Sequence, residues 1–308
     1  MNIITTSSVR AYRTCARLYK LRYVDRYSLV QTPEALRFGS LVHLGLNGWW
    51  SGNSMDEVLG VLEVNAIDEF ESVKAQEMLR GYDLRWRDSL DLKSVESVEK
   101  KFSVPIINPD TGYPMRETRL EGKVDVKCVD EVVEHKTSAM DISPGSPYWR
   151  RLAMDTQVSN YLIAENVSKC MYDVLGKPKV KPFKATPMEN RKYKTTDGTL
   201  YKSQHECDEE PEAYRVRLRN HIAENPERYY QRGIVVRLEG ELLEARADLY
   251  QQAQMIKASK RTERYPRNSD ACMLYGKECE FFDACTGISD PGTDSRFIKK
   301  EVQHEELS

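Results

Sequence analysis

Residues 121–137 read Glu-Gly-Lys-Val-Asp-Val-Lys-Cys-Val-Asp-Glu-Val-Val-Glu-His-Lys-Thr. β-Branched residues recur on both sides of Val129 and Asp130, which predicts two antiparallel strands joined there by a tight turn. Because side chains alternate between the faces of a strand, Glu134 and Lys136 point the same way. The turn brings Asp125 opposite the region of Glu134, where cross-strand neighbours lie about 5 Å apart. The hairpin therefore predicts two carboxylates and an ammonium group on one patch.

This patch of charges has two interpretations. Two adjacent carboxylates repel, so one would hold a proton unless a divalent cation neutralises both. Oxygen ligands with room for water and a substrate phosphate suit Mg²⁺ or Mn²⁺. Lys136 beside the ion could orient or deprotonate an attacking water, or stabilise charge on the phosphate. Alternatively, Asp125, Glu134 and Lys136 are the polar face of a half-exposed strand, with an ion pair worth about 0 to 1 kcal/mol.

Helices precede and follow the hairpin. The spacing of apolar residues predicts one helix each at about 8–24, 33–50, 147–167, 210–225 and 240–260, and two helices within 55–90. Strands are predicted at 95–104, 119–128, 131–136 and 233–238, with turn residues at 108–112. The first helix is expected to carry Cys15 in its middle. This order predicts a mixed α/β fold with an antiparallel meander.

The composition is that of an ordinary globular protein. The chain has 308 residues, of which 40% are hydrophobic and 31% charged. Its net charge of −2 argues against a protein that coats nucleic acid by bulk electrostatics. No apolar run approaches the roughly 20 residues that span a bilayer, and residues 1–6 lack the pattern of a signal peptide. We therefore expect an intracellular, cytoplasmic protein with no membrane partner.

One segment is locally basic. Between Lys177 and Lys194 there are seven basic residues and a single acid, Glu189, and an acidic stretch follows at 205–212. Such a run can hold a phosphate backbone, or it can be a solvated loop. The residues that we interpret as DNA-binding are Lys179, Lys181, Lys184, Arg191, Lys192 and Lys194.

The seven cysteines are unevenly distributed. An odd number in a chain without an export signal argues against a full disulfide framework. Cys272, Cys279 and Cys285 cluster near the C-terminus, whereas Cys15 stands alone near the N-terminus. Three clustered thiols call for a fourth ligand, although four cysteines so far apart could also be buried thiols.

The hairpin resembles a known nuclease motif. The spacing from Gly122-x-x-Asp125 to Glu134-x-Lys136 is similar to the core motif of the PD-(D/E)XK nuclease superfamily. The chain departs from the superfamily name in lacking a proline before Asp125, as many members do, and Glu134 is what the motif allows.

Two further motifs resemble the RecB type within that superfamily. A histidine in a Gly-x-x-x-His context precedes its hairpin, as Gly39 and His43 do here, and a Gln-x-x-x-Tyr helix follows it, as Gln157 and Tyr161 do. Each motif alone has another reading: His43 as a hydrogen-bonded core histidine, and Gln157 with Tyr161 as an i, i+4 pair on any helix. Their joint order and distances favour the family.

The resemblance implies roles for these residues. The implied metal ligands are His43, Asp125, Glu134 and the backbone carbonyl of His135. The implied catalytic residues are Lys136, Asp125, Glu134, Gln157 and Tyr161, the last two supporting the site and approaching the DNA strand.

The cysteines add to the resemblance. RecB-type nucleases that carry a 4Fe-4S cluster place one cysteine before the nuclease core and three after it, which is the arrangement of Cys15, Cys272, Cys279 and Cys285. The resemblance thus implies an iron–sulfur cluster, while thiolates alone would equally suit structural zinc. The six residues between Cys272 and Cys279 depart from the tighter spacing of many members.

The family implies a restriction-endonuclease-like core, a central mixed sheet flanked by helices. We expect a single nuclease domain over 1–308, with a helical N-terminal part at 1–92, a core at 93–240, a C-terminal helix and cysteine segment at 241–298 and a flexible tail at 299–308. The predicted function is metal-dependent hydrolysis of DNA by an exonuclease acting on single strands or duplex ends. A recombination or helicase partner and a phage origin are consistent with it. The alternatives are a DNA-end-binding module with an inactive site and a zinc-bearing interaction protein unrelated to DNA.

Overall fold

A six-stranded mixed sheet runs through the centre of the molecule. The computed structural model describes residues 2–88, 94–274 and 276–307. Its strands are β1 Asn2–Ile4, β2 Tyr27–Leu29, β3 Val95–Ile107, β4 Pro114–Cys128, β5 Glu131–Ser138, β6 Lys169–Gly176, β7 Tyr230–Val236, β8 Met273–Leu274, β9 Lys277–Glu278 and β10 Phe297–Lys299. Its α-helices are α1 Thr6–Thr14, α2 Ala16–Tyr19, α3 Glu34–Trp50, α4 Met55–Asn65, α5 Glu69–Trp86, α6 Pro147–Ala153, α7 Thr156–Glu165, α8 Pro211–Glu224, α9 Pro226–Tyr229, α10 Glu239–Thr262 and α11 Phe282–Thr286.

The sheet is built around β4 and β5. β3 pairs antiparallel with one side of β4. On the other side of β4, β1 pairs parallel with its first half and β5 pairs antiparallel with its last residues. β6 then pairs parallel with β5, and β7 closes the order antiparallel to β6. This arrangement is the mixed central sheet that the family resemblance implies.

Helices cover both faces of this sheet, because each face carries apolar side chains that must leave water. One hydrophobic cluster joins the sheet to α1, α7 and α10, and includes Val132 and Val158. The second cluster joins the other face to α3, α4, α5 and α8, and includes Val133 and Leu79. Alternation along β5 sends neighbouring valines into opposite clusters. The helices that precede the hairpin therefore share a core with the sheet.

The hairpin and most helices confirm the sequence predictions. β4 and β5 meet at a turn over Val129 and Asp130, and α3, α4, α5, α8 and α10 lie within a few residues of the predicted ranges. The end of the segment predicted at 55–90 and the proposed boundary at 92 lie outside the described residues, as do Met1 and Tyr275.

The helix predicted at 8–24 is wrong. α1 ends at Thr14, and Cys15 takes an extended conformation (φ −164°, ψ 122°) before α2 begins. A π-helical turn, Lys20–Val24, then continues the segment. Cys15 therefore lies at a break between two helices, where its thiol can turn away from the helix axis.

The helix predicted at 147–167 is also wrong, because it is two helices. α6 ends before Met154, and Asp155 caps α7 by accepting a hydrogen bond from the backbone N–H of Gln157 at 3.0 Å. An aspartate at this position favours a helix start over helix continuation. The break sets the direction of α7, which carries Gln157 and Tyr161 toward the sheet.

β6 was not predicted at all, and the last long strand, predicted at 233–238, begins earlier, at Tyr230. The sequence of β6 is a short, nearly continuous apolar run, the pattern of a strand buried on both faces. Asp173 lies within that run, and its carboxylate is one of the few charged groups in the core.

The C-terminal residues, predicted as a flexible tail, make contacts with the fold. The ring of His304 is buried and lies 5.4 Å from that of Tyr23, and Thr5 donates a hydrogen bond of 2.6 Å to Glu306. The division of the chain into parts stays a prediction. No helix in the described part of the chain has the length and apolar character needed to cross a membrane.

Candidate active site

The strands of the hairpin separate at the predicted catalytic acids. Backbone pairing between β4 and β5 reaches Val126 and Val133. One step further, the backbone N–H of His135 donates to Asp125 Oδ2 at 2.7 Å instead of to a backbone carbonyl. The Asp125 side chain thus takes the place of a ladder partner and is held beside Glu134.

Glu134 lies at the centre of a hydrogen-bonded group. Lys136 donates to Glu134 Oε1, and Gln157 Nε2 donates to the same oxygen at 2.8 Å. Lys136 Nζ also lies 3.2 Å from Gln157 Oε1, and Gln157 Nε2 lies 2.7 Å from the Tyr161 hydroxyl oxygen. β5 and α7 therefore bring the predicted acid, lysine, glutamine and tyrosine into one contiguous cluster.

The other oxygen of Glu134, Oε2, is buried and has no hydrogen-bond partner among the described residues. A carboxylate oxygen without a donor is costly to bury, because it loses its bonds to water. This atom therefore identifies a position where a positively charged ligand would be stabilised.

His43 approaches the acids from α3. Its Nδ1 lies 3.8 Å from Asp125 Oδ1. Burial, together with the charges of His135 and Lys136, lowers the pKa of His43 to about 3, so the imidazole is neutral at neutral pH. A neutral imidazole has the protonation state of a metal ligand.

The acids themselves are electrostatically coupled. Burial and the charge of Glu134 raise the pKa of Asp125 to about 7, against the hydrogen bond from His135. Burial disfavours the ammonium form of Lys136, but the Glu134 carboxylate outweighs burial and raises the pKa of Lys136. Two neighbouring buried carboxylates favour a cation between them.

Behind the hairpin lies a buried polar network that the sequence did not predict. His135 Nδ1 lies 3.2 Å from Asp173 Oδ2, and Arg232 Nε donates to Asp173 Oδ1 at 3.0 Å. Tyr82 donates to the same carboxylate and accepts from Arg232 at 2.9 Å. A lone aspartate within the apolar run of β6 was the sequence signal for this network.

A cleft of about 1290 Å³ opens over the clustered residues. Its walls include His43, Asp125, Glu134, Lys136 and Gln157. The cleft is also lined by cationic residues that the sequence did not single out, namely Arg10, Arg13, Lys123, Arg151 and Lys177, the last from the edge of the predicted basic segment.

The six predicted DNA-binding residues do not line this cleft. Lys179 lines a neighbouring cavity of about 520 Å³. Lys184 pairs with Asp208 at 2.9 Å, and Arg191 donates to the backbone carbonyl of Glu206 at 2.7 Å. Lys181 and Lys192 are exposed and Lys194 is half-buried. The basic segment therefore folds partly onto the acidic stretch that follows it, and its role in binding DNA stays a prediction.

The four predicted cluster cysteines line one small cavity, of about 30 Å³. Pairing of β8 with β9 joins Cys272 to Cys279, whose backbone N–H donates to Cys272 O at 2.8 Å. A short hairpin therefore brings Cys272 and Cys279 together despite the six residues between them. Cys285 comes from α11 and Cys15 from the break after α1. Burial and the neighbouring thiols raise the pKa of Cys285.

Across residues 2–88, 94–274 and 276–307, no three His, Cys, Asp or Glu side chains form a group that could hold a metal ion in the present arrangement. In the cleft, protein donors occupy Asp125 Oδ2 and Glu134 Oε1. The metal and cluster ligands therefore stay predictions.

The chain matches a nuclease family model and, at low sequence identity, solved structures. No curated protein matches the chain. Among solved structures, a candidate exonuclease from Eubacterium rectale has 13% identity and a TM-score of 0.49, covering 98% of this chain and 91% of that one. A phage-related exonuclease from Haemophilus somnus 129PT has 11% identity and a TM-score of 0.34, covering 73% and 82%. The family model of the PD-(D/E)XK nuclease superfamily matches residues 4–286, and the chain therefore belongs to that superfamily.

Proposed function

We propose that this chain is a divalent-metal-dependent DNA nuclease of the RecB type that acts as an exonuclease. The observation that carries the proposal is the convergence of Asp125, Glu134 and Lys136 in one cleft, with Gln157 bonded to the last two. These residues belong to β4, β5 and α7, so their convergence depends on the whole fold. The superfamily membership supports the same chemistry.

Mg²⁺ or Mn²⁺ would be held by Asp125, Glu134 and His43, with the backbone carbonyl of His135 completing the set. The residues fit such an ion, because Glu134 Oε2 is buried with no donor among the residues that the structure describes, and the His43 imidazole is neutral. Carboxylate oxygens are the preferred ligands of these hard cations. When bound, such a cation activates water and stabilises charge on a phosphate.

The chain's own residues would bind and orient the reacting groups. Lys136 places its ammonium group beside the acids, where it can orient the attacking water or stabilise negative charge on the phosphate. Gln157 fixes the positions of Lys136 and Glu134 through its two hydrogen bonds, and Tyr161 fixes Gln157. In-line attack of water on the phosphodiester would leave a 5′-phosphate end, by analogy with the superfamily.

We further propose that Cys15, Cys272, Cys279 and Cys285 hold a 4Fe-4S cluster, with zinc as the alternative. The donor set fits, because four thiols from three separate segments line one cavity. Thiolates ligate either centre. The cluster would join the end of α1 to the C-terminal segment.

Nuclease assays on single-stranded and duplex DNA test the catalytic proposal. We expect cleavage with Mg²⁺ or Mn²⁺, none in chelator, and a loss of about 10²- to 10³-fold in Lys136→Ala, the scale of removing one charged transition-state contact. Lys169→Ala is the matched control, since it removes a lysine whose ion pair with Glu131 lies on the surface.

Cleavage that persists in chelator, or that Lys136→Ala retains in full, contradicts the mechanism. Binding of DNA ends without any cleavage, in protein that is folded and supplied with metal, supports the inactive DNA-end-binding module instead. Analysis of iron, acid-labile sulfide and zinc in anaerobically purified protein tests the cluster. Zinc without iron would assign the thiols to a structural zinc site.

A further inference from the structure

Three arginines line the cleft from two helices. Arg10 and Arg13 belong to α1, and Arg151 belongs to α6. Residues three apart share a face of a helix. The opposite face of α1, with Val9 and Tyr12, is buried in the core, so the arginine face is the one left for the cleft. We call these three residues the arginine wall.

Two members of the arginine wall have free guanidinium groups. Within the described part of the chain, neither Arg13 nor Arg151 forms a salt bridge or a hydrogen bond through its guanidinium group. Arg10 pairs with Asp155 at 3.2 Å but keeps 61% of its side chain exposed. Arg13 and Arg151 can therefore bind an anion without breaking an internal ion pair.

The remaining cations of the cleft are already engaged. Lys123 pairs with Glu99, Lys136 pairs with Glu134, and Lys177 donates to Ala35 O at 2.6 Å. Among the cleft cations that the structure describes, the guanidinium groups left without an acceptor are thus those of Arg13 on α1 and Arg151 on α6. A phosphate backbone would find its strongest partners there.

Another part of the cleft lining includes exposed apolar side chains. Leu36 and Leu44 lie eight residues apart on α3, about two turns, and both line the cleft. They are 65% and 37% exposed, and Met140, also in the cleft, is 52% exposed. Apolar side chains exposed inside a groove are typical of a surface that binds a ligand.

We propose that the cleft binds a single DNA strand, with its phosphates on the arginine wall and its bases against Leu36 and Leu44. The inference rests on the proposed function and adds the form of the substrate. A duplex stacks its bases inward and presents charged backbone on both strands, so it has no bases to offer these leucines. A single strand exposes both its backbone and the faces of its bases.

Binding measurements without divalent cation test this proposal separately from catalysis. The probe is a fluorescent oligothymidylate, followed by anisotropy over a series of salt concentrations, with a blunt duplex of the same length as competitor. We expect Arg13→Gln and Arg151→Gln each to raise Kd about tenfold. Each should also make the plot of log affinity against log salt shallower by about 0.7.

The leucines should behave differently from the arginines. Leu36→Ala and Leu44→Ala are expected to weaken binding of the single strand while leaving the salt dependence unchanged, because they remove contacts with uncharged bases. The matched control is Arg150→Gln, on α6 but outside the cleft.

Two results would overturn the proposal: Arg13→Gln and Arg151→Gln binding as tightly as Arg150→Gln, or the blunt duplex competing as well as the single strand. Failure of the proposed function looks different. A protein that cleaves no DNA but binds as expected here supports the role of the arginine wall and contradicts the proposed nuclease activity. An active nuclease whose arginine variants bind normally supports the nuclease activity and contradicts the role of the arginine wall.

Discussion

Asp173 is the residue on which the geometry behind the active site depends. It is buried in β6 and contacts His135, Arg232 and Tyr82. Burial opposes its charge, but the His135 and Arg232 contacts outweigh burial and lower its pKa. The carboxylate therefore stays ionised in the core. Since His135 also binds Asp125 through its backbone N–H, the network lies one residue from the proposed catalytic acids.

We predict that Asp173→Asn lowers the free energy of unfolding by about 3 kcal/mol. The change keeps the shape of the side chain but leaves Arg232 as a buried charge without its partner, and breaking a buried pair costs about 3–5 kcal/mol. Urea denaturation of the variant and the wild type measures the difference. Asp110→Asn, at the exposed turn between β3 and β4, is the control and should change stability by less than about 0.5 kcal/mol. Equal midpoints for Asp173→Asn and the wild type would contradict the buried network.

At the scale of elements, the hairpin of β4 and β5 was predictable because local patterns determine it. β-Branched residues flank a two-residue turn, and alternation alone places Glu134 and Lys136 on one face. β6 was not predictable in the same way, because a strand buried on both faces has no alternation and Asp173 interrupts its apolar run. The breaks at Cys15 and Asp155 were missed because apolar spacing continues across each pair of helices. At Asp155 a side-chain cap decides where the second helix starts, whereas Cys15 makes no such capping hydrogen bond.

Gly122 shows how closely β3 and β4 approach beside the site. A Cβ at this position would lie 2.4 Å from Phe102 Cζ and 2.7 Å from Cε1, both too short for contact. The Phe102 ring in turn packs edge-on against Tyr161, with centroids 5.9 Å apart. The motif glycine thus makes room for the aromatic pair that supports α7.

We predict that Gly122→Ala destabilises the protein by about 1–3 kcal/mol through overpacking, measured by thermal unfolding. In a Phe102→Leu background the same Gly122→Ala change should cost much less, because the smaller side chain makes room for the methyl group. Gly60→Ala in α4 is the control, since nothing lies near its added Cβ, and it should stabilise by about 0.5–1 kcal/mol. An equal cost of Gly122→Ala in the wild-type and Phe102→Leu backgrounds would rule out the contact with Phe102 as the cause.

For the whole molecule, sequence patterns cannot show which distant residues meet. Arg13 and Arg151 are 138 positions apart in the chain, and only the packing of α1 and α6 brings both to the cleft. The cysteines were an exception, because the family resemblance links Cys15 to the C-terminal group. Protein contacts already join these ends, since Asn268 Nδ2 donates to Thr14 O at 2.9 Å and Arg17 Nε donates to Tyr265 O at 3.2 Å.

We predict that Cys15→Ala loses the bound iron and lowers the free energy of unfolding by about 2–4 kcal/mol, the scale of a cross-link that closes a long loop. The hydrogen bonds between Asn268 and Thr14 and between Arg17 and Tyr265 should keep the ends together, so the protein still folds and its turnover at saturating DNA stays close to that of the wild type. Iron content, urea denaturation and single-turnover cleavage measure the three effects. Cys207→Ala, an exposed cysteine outside the cavity, should leave all three unchanged. Normal iron and normal stability in Cys15→Ala would show that this thiol is not a ligand.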